Sequence, residues 1–249
     1  MNDEAVGTVG PHVVLPPAVI DGQQAAVLGD DAHHLARVLR VGVGDPVSVT
    51  DGVGGLWQAR VADVGREVRL SLGARADIPA PTPAVHVVQA LPKQRKFDDV
   101  VRMLTEVGVA VIHPATTTRG EVDPPADRAD RALARWRAVA SAATKQSRRA
   151  WLPTLTPVQP WAEAIDAAHA PGTLGLVCWE EAVTPLGRVL GDEQPERLLL
   201  AIGPEGGLTA DEVAASGLPA VTLGATVLRT ETAAIVAVSA ALALLGRFS

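Results

Sequence analysis

Two glycine-containing loops near the carboxyl end are the part of the chain best equipped to hold a ligand. In the first, the apolar run Leu198-Leu-Leu-Ala-Ile202 passes straight into Gly203-Pro204-Glu205-Gly206-Gly207, and a Thr209-x-x-Glu212 helix start follows. Glycines at a strand end let backbone N–H and C=O groups come close to a bound molecule, although the same run also makes a plain tight turn. It has neither the Gly-Lys-Ser/Thr of a P-loop nor GxGxxG spacing, so a nucleotide-phosphate enzyme is a weak reading. The second loop, Leu223-Gly-Ala-Thr-Val-Leu-Arg-Thr-Glu-Thr-Ala233, also leaves an apolar segment and enters a helix. Two such loops can form opposing walls of one pocket. Glu231 suits a helix N-terminus and Thr230 suits its cap, but Arg229 does not, because a cation there opposes the helix dipole. Arg229 calls for a negative partner: Glu205, Glu231 or a substrate phosphate.

Basic residues are the next chemical feature. The chain carries 22 Lys and Arg against 28 Asp and Glu, a net charge of −6, which taken whole argues against a nucleic-acid partner. Residues 128–149 are the exception, with seven basic residues against Asp130 alone. Arg128, Arg131 and Arg135 form one helical stripe, and Lys145, Arg148 and Arg149 close it. Such a stripe is usually a solvated helix face, but its concentration in an acidic protein favours a polyanion partner. Lys93, Arg95 and Lys96 make a second basic turn. With no Tyr and 3% aromatic residues, nucleic-acid contact falls to charge and backbone rather than to stacking. His33-His34 lacks a third metal ligand nearby, Cys178 lacks a neighbouring His, and no Ser-His-Asp order or Gly-x-Ser-x-Gly elbow is present, so no metal site is expected.

The elements that would position these groups fall into two textures. Residues 1–72 read as a small β-barrel or sandwich, with short strands at 12–15, 46–51, 56–64 and 67–72. Asp30 to Arg40 reads as a helix that buries Leu35, Val38 and Leu39 and turns Arg37 and Arg40 outward. Residues 73–84, with three prolines, read as a linker. Residues 85–249 alternate strand and helix, which argues for a largely parallel sheet covered on both faces, an α/β domain. A 47% hydrophobic fraction over 249 residues supports a core of this size. One cysteine and no charged-then-apolar leader suggest a cytoplasmic protein. The longest apolar run, residues 233–245, is short of the ~18 that a membrane span needs.

Together these segments resemble one family. Ile202-Gly-Pro-Glu-Gly-Gly-Leu-Thr209 followed by Leu223-Gly-x-x-x-Leu-Arg-Thr-Glu-Thr-Ala233 is similar to the signature of the 16S ribosomal RNA uridine N3-methyltransferases of the SPOUT superfamily. The His34-x-x-x-Val-Leu-Arg40 element, Lys93, Thr105-Glu-Val-Gly108, Pro114, Thr118-Arg119, Arg135-Trp136 and Gln146-Ser147 extend the likeness over nearly the whole chain. Two departures stand out: Lys145 replaces a usual acidic residue, and Gly120 a usual Ser.

The resemblance implies an N-terminal PUA-like barrel, a trefoil-knotted C-terminal domain and a homodimer acting on 16S rRNA of the small ribosomal subunit. It implies S-adenosylmethionine held by Trp179, Ile202, Gly203, Pro204, Glu205, Gly206, Gly207, Leu223, Gly224, Val227, Leu228, Arg229, Thr230 and Thr232, and methyl transfer to uridine N3. Arg229 is expected to stabilise the uracil anion, with Glu231 fixing it or accepting the proton. Arg37, Arg40, Lys93, Arg95, Lys96, Arg119, Lys145, Arg148 and Arg149 are expected to contact RNA. The rival readings are a SPOUT enzyme that methylates the ribose 2′-oxygen and a non-catalytic rRNA-binding or assembly factor.

Overall fold

The structure is a computed structural model that describes residues 9–93, 96–191 and 193–247. Its contacts divide the chain into two units, 1–80 with 144–152 and 81–143 with 153–249.

The first unit contains β1 (His12–Val14), β2 (Ile20–Asp21), β3 (Gln24–Val27), α1 (Gly29–His33), β4 (Pro46–Thr50), β5 (Gly55–Val64) and β6 (Val68–Asp77). They form one sheet in the order β1-β4-β5-β6-β3-β2, with β1 parallel to β4 and every other pair antiparallel. Alternate residues, among them Val47, Val49, Trp57, Val61, Val68 and Leu70, point into a single core. Strand β6 runs on to Asp77, so the first part of the expected linker is ladder, with Leu56 opposite Ala76 and Gly55 opposite Asp77.

Residues 144–152 belong to this unit although their first four residues are the last turn of a helix that begins in the other one, at Ala126. The Thr50 hydroxyl donates to Ala150 O at 2.9 Å, Gly54 N–H to Ala150 O, and Leu152 N–H to Gly52 O. Trp151 Nε1 donates to Ile78 O at 3.0 Å.

The helix expected at 30–40 is real but changes pitch. After α1 the chain continues as a π-helical turn, His34–Val38, marked by Leu39 N–H donating to His34 O five residues back. The wider turn breaks the apolar phase: Leu35 is buried, whereas Val38 and Leu39 are 60% and 46% exposed. Arg40 ends the turn in the left-handed region at φ 55°.

The second unit contains β7 (Ala84–Ala90), α2 (Lys96–Glu106), β8 (Val111–Thr116), α3 (Ala126–Ser147), β9 (Thr154–Leu155), β10 (Gln159–Pro160) and α4 (Trp161–Ala168). It continues through β11 (Thr173–Cys178), α5 (Leu186–Leu190), β12 (Arg197–Ile202), α6 (Ala210–Ala215), β13 (Ala220–Val221) and α7 (Thr230–Leu244). The sheet order is β10-β8-β7-β12-β11-β13, with β9 beside β8, and every pairing is parallel. Leu198, Leu199 and Leu200 are fully buried in sequence because both faces of β12 are covered. Trp161 and Ile165 of α4 and Val213 of α6 cover one face. Helices α2 and α7 pack on each other, and α7 packs on β7 and β12. Among the described residues, no helix is long and apolar enough to cross a membrane.

One pair in this sheet, the buried His113 and the half-buried His86, makes stability depend on pH. His86 and His113 are stacked, with His86 Nδ1 3.3 Å from His113 Nε2. Burial pushes both rings down to about 4, and for His86 the neighbouring His113 and Arg197 add to the effect. In the unfolded chain both titrate near ~6.5. Between those values the unfolded state binds more protons, so stability falls as the pH drops through this window. The melting temperature is expected to fall by roughly 5–10 °C between pH 7 and pH 4.5. A calorimetric scan that stays flat over that interval would contradict this.

Candidate methyl-donor pocket

Strand ends assemble the pocket. The loops after β11, β12 and β13 leave the carboxyl edge of the sheet and enclose a cavity of about 320 Å³, lined by residues 178–180, 202–205, 207, 222–230 and 233. Twelve of the fourteen residues expected at the cofactor line it: Trp179, Ile202, Gly203, Pro204, Glu205, Gly207, Leu223, Gly224, Val227, Leu228, Arg229 and Thr230. Gly206 and Thr232 do not. A Cβ on Gly206 would stand 2.8 Å from Arg119 O, so this glycine serves the close approach of a neighbouring loop. Gly207 is left-handed at φ 72°, and a Cβ there would overlap Glu180 Oε1.

The capping box at the start of α6 is complete: Thr209 Oγ1 accepts from Glu212 N–H, and Glu212 Oε2 accepts from Thr209 N–H at 2.9 Å. Glu212 Oε1 also accepts from Thr118 N–H at 2.7 Å, tying residues 117–120 to this helix. Burial alone would raise its pKa, but the bonds from Thr209 and Thr118 outweigh that and hold the carboxyl below the ordinary value. Gly120 packs so closely that a Cβ would stand 2.7 Å from Thr117 Oγ1.

At the second loop the structure corrects the sequence reading. The N-cap of α7 is Arg229, with no side-chain cap, rather than Thr230. The buried Thr230 hydroxyl instead donates to Gly203 O at 2.6 Å and accepts from Gln89 Nε2 at 2.9 Å, joining α7, the first loop and β7. Thr230→Val would leave the Gly203 carbonyl without this donor and the Gln89 amide with its bond to Ala90 O alone, at a cost of about 1–3 kcal/mol. The urea midpoint should fall accordingly, whereas Thr230→Ser should hold it; equal midpoints for Val and Ser would refute this role.

Neither glutamate pairs with Arg229. Lys96 Nζ takes both, at 3.2 Å from Glu205 Oε1 and 3.5 Å from Glu231 Oε1. Arg229 is exposed and makes no ion pair among the described residues, so its guanidinium is free to meet an external anion. Glu231 does not line the cavity. Among the described residues, the buried Trp179 Nε1 has no hydrogen-bond partner. Cys178 forms part of the floor, its thiol pushed up to about 12 by burial.

A family model described as an RNA methyltransferase domain matches residues 79–242, and an RNA methyltransferase PUA domain matches 27–70. The ribosomal RNA small subunit methyltransferase E of Mycobacterium bovis is 37% identical over 234 residues, which are 91% of this chain and 89% of the relative. The chain belongs to the small subunit methyltransferase E family. The Synechocystis member is 33% identical over 94% of this chain and 77% of its own length. The Neisseria gonorrhoeae member, solved bound to S-adenosyl methionine, is 28% identical and superposes with a TM-score of 0.84 over 96% of this chain and 99% of that one.

Set against this family, most of the basic residues expected on RNA have internal partners. Lys93 pairs with Glu121 at 2.5 Å, Lys96 holds the two glutamates, and Arg119 donates to Leu208 O at 3.4 Å. Lys145 binds Asp31 Oδ1 at 2.6 Å. Arg148 donates to Gly10 O at 2.8 Å, and burial pulls the Arg149 guanidinium down to about 10. Arg95 lies outside the described residues. Arg37 and Arg40 remain exposed. Two residues that the sequence reading misplaced or missed had readable signals. Lys96 opens a helix, where a cation is as unfavourable as at Arg229 and needs the same explanation. Glu180 follows a strand end.

Proposed function

We propose that the protein is an S-adenosylmethionine-dependent methyltransferase that acts on N3 of a specific uridine in 16S rRNA of the small ribosomal subunit. The observation that carries this reading is the three-loop cavity at the strand ends, in a chain of the methyltransferase E family. The residues present fit a cationic, amphipathic cofactor. Glu180 and Glu205 supply carboxylates, Ile202, Val227 and Leu228 supply apolar wall, and the Trp179 N–H is an unused donor. When bound, the cofactor would supply an electrophilic methyl group.

The chain's own task is then to place the base and deal with its proton. Uracil N3–H must give up its proton to water as the new bond forms, and a cation beside the ring stabilises the resulting anion. Arg229, unpaired at the cavity, is suited to that role; Glu231, held by Lys96, steadies the turn that carries Arg229. Arg37, exposed within the π-helical turn, and Arg40, exposed just after it, would meet RNA phosphate. The trefoil knot, the homodimer and the cytoplasmic location belong to the same proposal. For the homodimer, α7 offers a face of half-buried Ile235, Val236 and Leu242 opposite its buried Ala234, Ala237 and Ala241.

The test is methyl transfer from labelled S-adenosylmethionine to small ribosomal subunits that lack the modification, followed by digestion to nucleosides. N3-methyluridine from one site supports the reading. A 2′-O-methylated nucleoside moves the enzyme to ribose chemistry, and cofactor binding without transfer points to another substrate.

A further inference from the structure

Lys96 sits where three chain segments meet. It opens α2, while Glu205 belongs to the loop after β12 and Glu231 to the first turn of α7. Its ammonium contacts both carboxylates, and Glu205 Oε2 also accepts from Lys93 N–H at 3.3 Å. The three side chains are only 31%, 23% and 20% exposed, so water screens them less than an ordinary surface pair. Among the described residues, the second oxygen of Glu231 is closed to solvent and has no hydrogen-bond partner, and Lys96 is the cation that pairs with this carboxylate. Two carboxylates sharing one ammonium repel each other once it is removed. That repulsion would act between the Gly203–Gly207 loop and the turn whose cap is Arg229.

We propose that Lys96 is a positioning residue: by clamping Glu205 to Glu231 it sets the spacing of the two pocket loops and the aim of Arg229. This replaces the expected RNA contact for Lys96. The turnover part of the proposal rests on the methyltransferase reading; the clamp itself does not.

The experiment uses the full chain with Lys96→Met and Lys96→Arg. Three quantities are measured: amide hydrogen exchange in ligand-free protein, S-adenosylmethionine affinity by calorimetry, and kcat and KM on unmodified small subunits. Lys96→Met is expected to speed exchange at residues 203–207 and 230–232 together by about tenfold or more while β12 stays protected. Affinity should fall a few-fold and kcat by roughly ten- to a hundredfold, since small misplacements of a catalytic group cost that much. Lys96→Arg should recover most of each loss.

Parent-like exchange and kcat in Lys96→Met would overturn the proposal. So would a lowered melting temperature with kcat per folded molecule unchanged, which is the signature of a merely stabilising ion pair. Should Lys96→Met not fold, Lys96→Met with Glu231→Gln leaves one carboxylate and no repulsion. It is expected to fold with a reduced kcat, and a parent-like kcat there also overturns the idea. If the parent protein transfers no methyl group to small subunits, the functional reading fails by itself, and exchange and affinity still decide the clamp.

Discussion

Arg229→Ala is expected to lower kcat by roughly 10²–10³-fold, the usual cost of removing one group that stabilises developing negative charge. Affinity for S-adenosylmethionine should stay within about threefold, because a group that acts mainly in the transition state contributes little to the ground state. The reason lies in what surrounds the side chain. Lys96 has taken both glutamates that might have neutralised Arg229, leaving an unpaired guanidinium at the cavity. Single-turnover transfer to small subunits, beside calorimetric cofactor binding, separates the two effects. Equal losses in both would make Arg229 a cofactor ligand, and wild-type turnover would remove it from the mechanism. Arg229→Lys should recover part of the rate, since it returns the charge without the planar fork.

Gly206→Ala is expected to weaken S-adenosylmethionine binding by about tenfold or more and to cost about 1–3 kcal/mol of stability, as overpacking does. The added methyl would stand 2.8 Å from Arg119 O and 3.3 Å from Arg119 Cβ. That carbonyl cannot easily retreat, because Gly120 N–H donates to Thr117 O and Thr118 N–H to Glu212. Something must therefore move in the loop that carries Glu205 and Gly207. Removing the Arg119 side chain should bring no relief, since the first clash is with backbone. If Arg119→Ala restored affinity to Gly206→Ala, the backbone explanation would fail. Gly207→Ala offers a contrast: its Cβ would meet the movable end of Glu180, so its main cost is the left-handed conformation, about 1–2 kcal/mol.

The parts of this site legible in the sequence were those that depend on local rules. Strand β12 showed as a continuous apolar run because both its faces are covered, and the Thr209–Glu212 box announced α6 because its bonds are local. The two glycine loops followed from the rule that α/β sheets bind at strand ends. What failed depended on distant partners. Thr230 read as a cap, but its hydroxyl is claimed by Gly203 O and Gln89. Lys145, Arg148 and Arg149 read as a basic face, but Asp31, Gly10 O and burial absorb them. Val38 and Leu39 read as core because the pattern assumed 3.6 residues per turn, and the π-helical turn spoils that count.

The return of residues 144–152 to the first unit has a consequence for how this protein can be divided. The chain passes from one unit to the other three times, near residues 80, 143 and 152, rather than once. Cutting it after residue 80 would not yield an RNA-binding module and an enzyme. It would strip the amino-terminal piece of the Ala150 and Trp151 contacts made with Thr50, Gly54 and Ile78, and leave residues 144–152 on the other piece without those partners. The first unit therefore cannot be exchanged for a homologue's without residues 144–152 being carried with it.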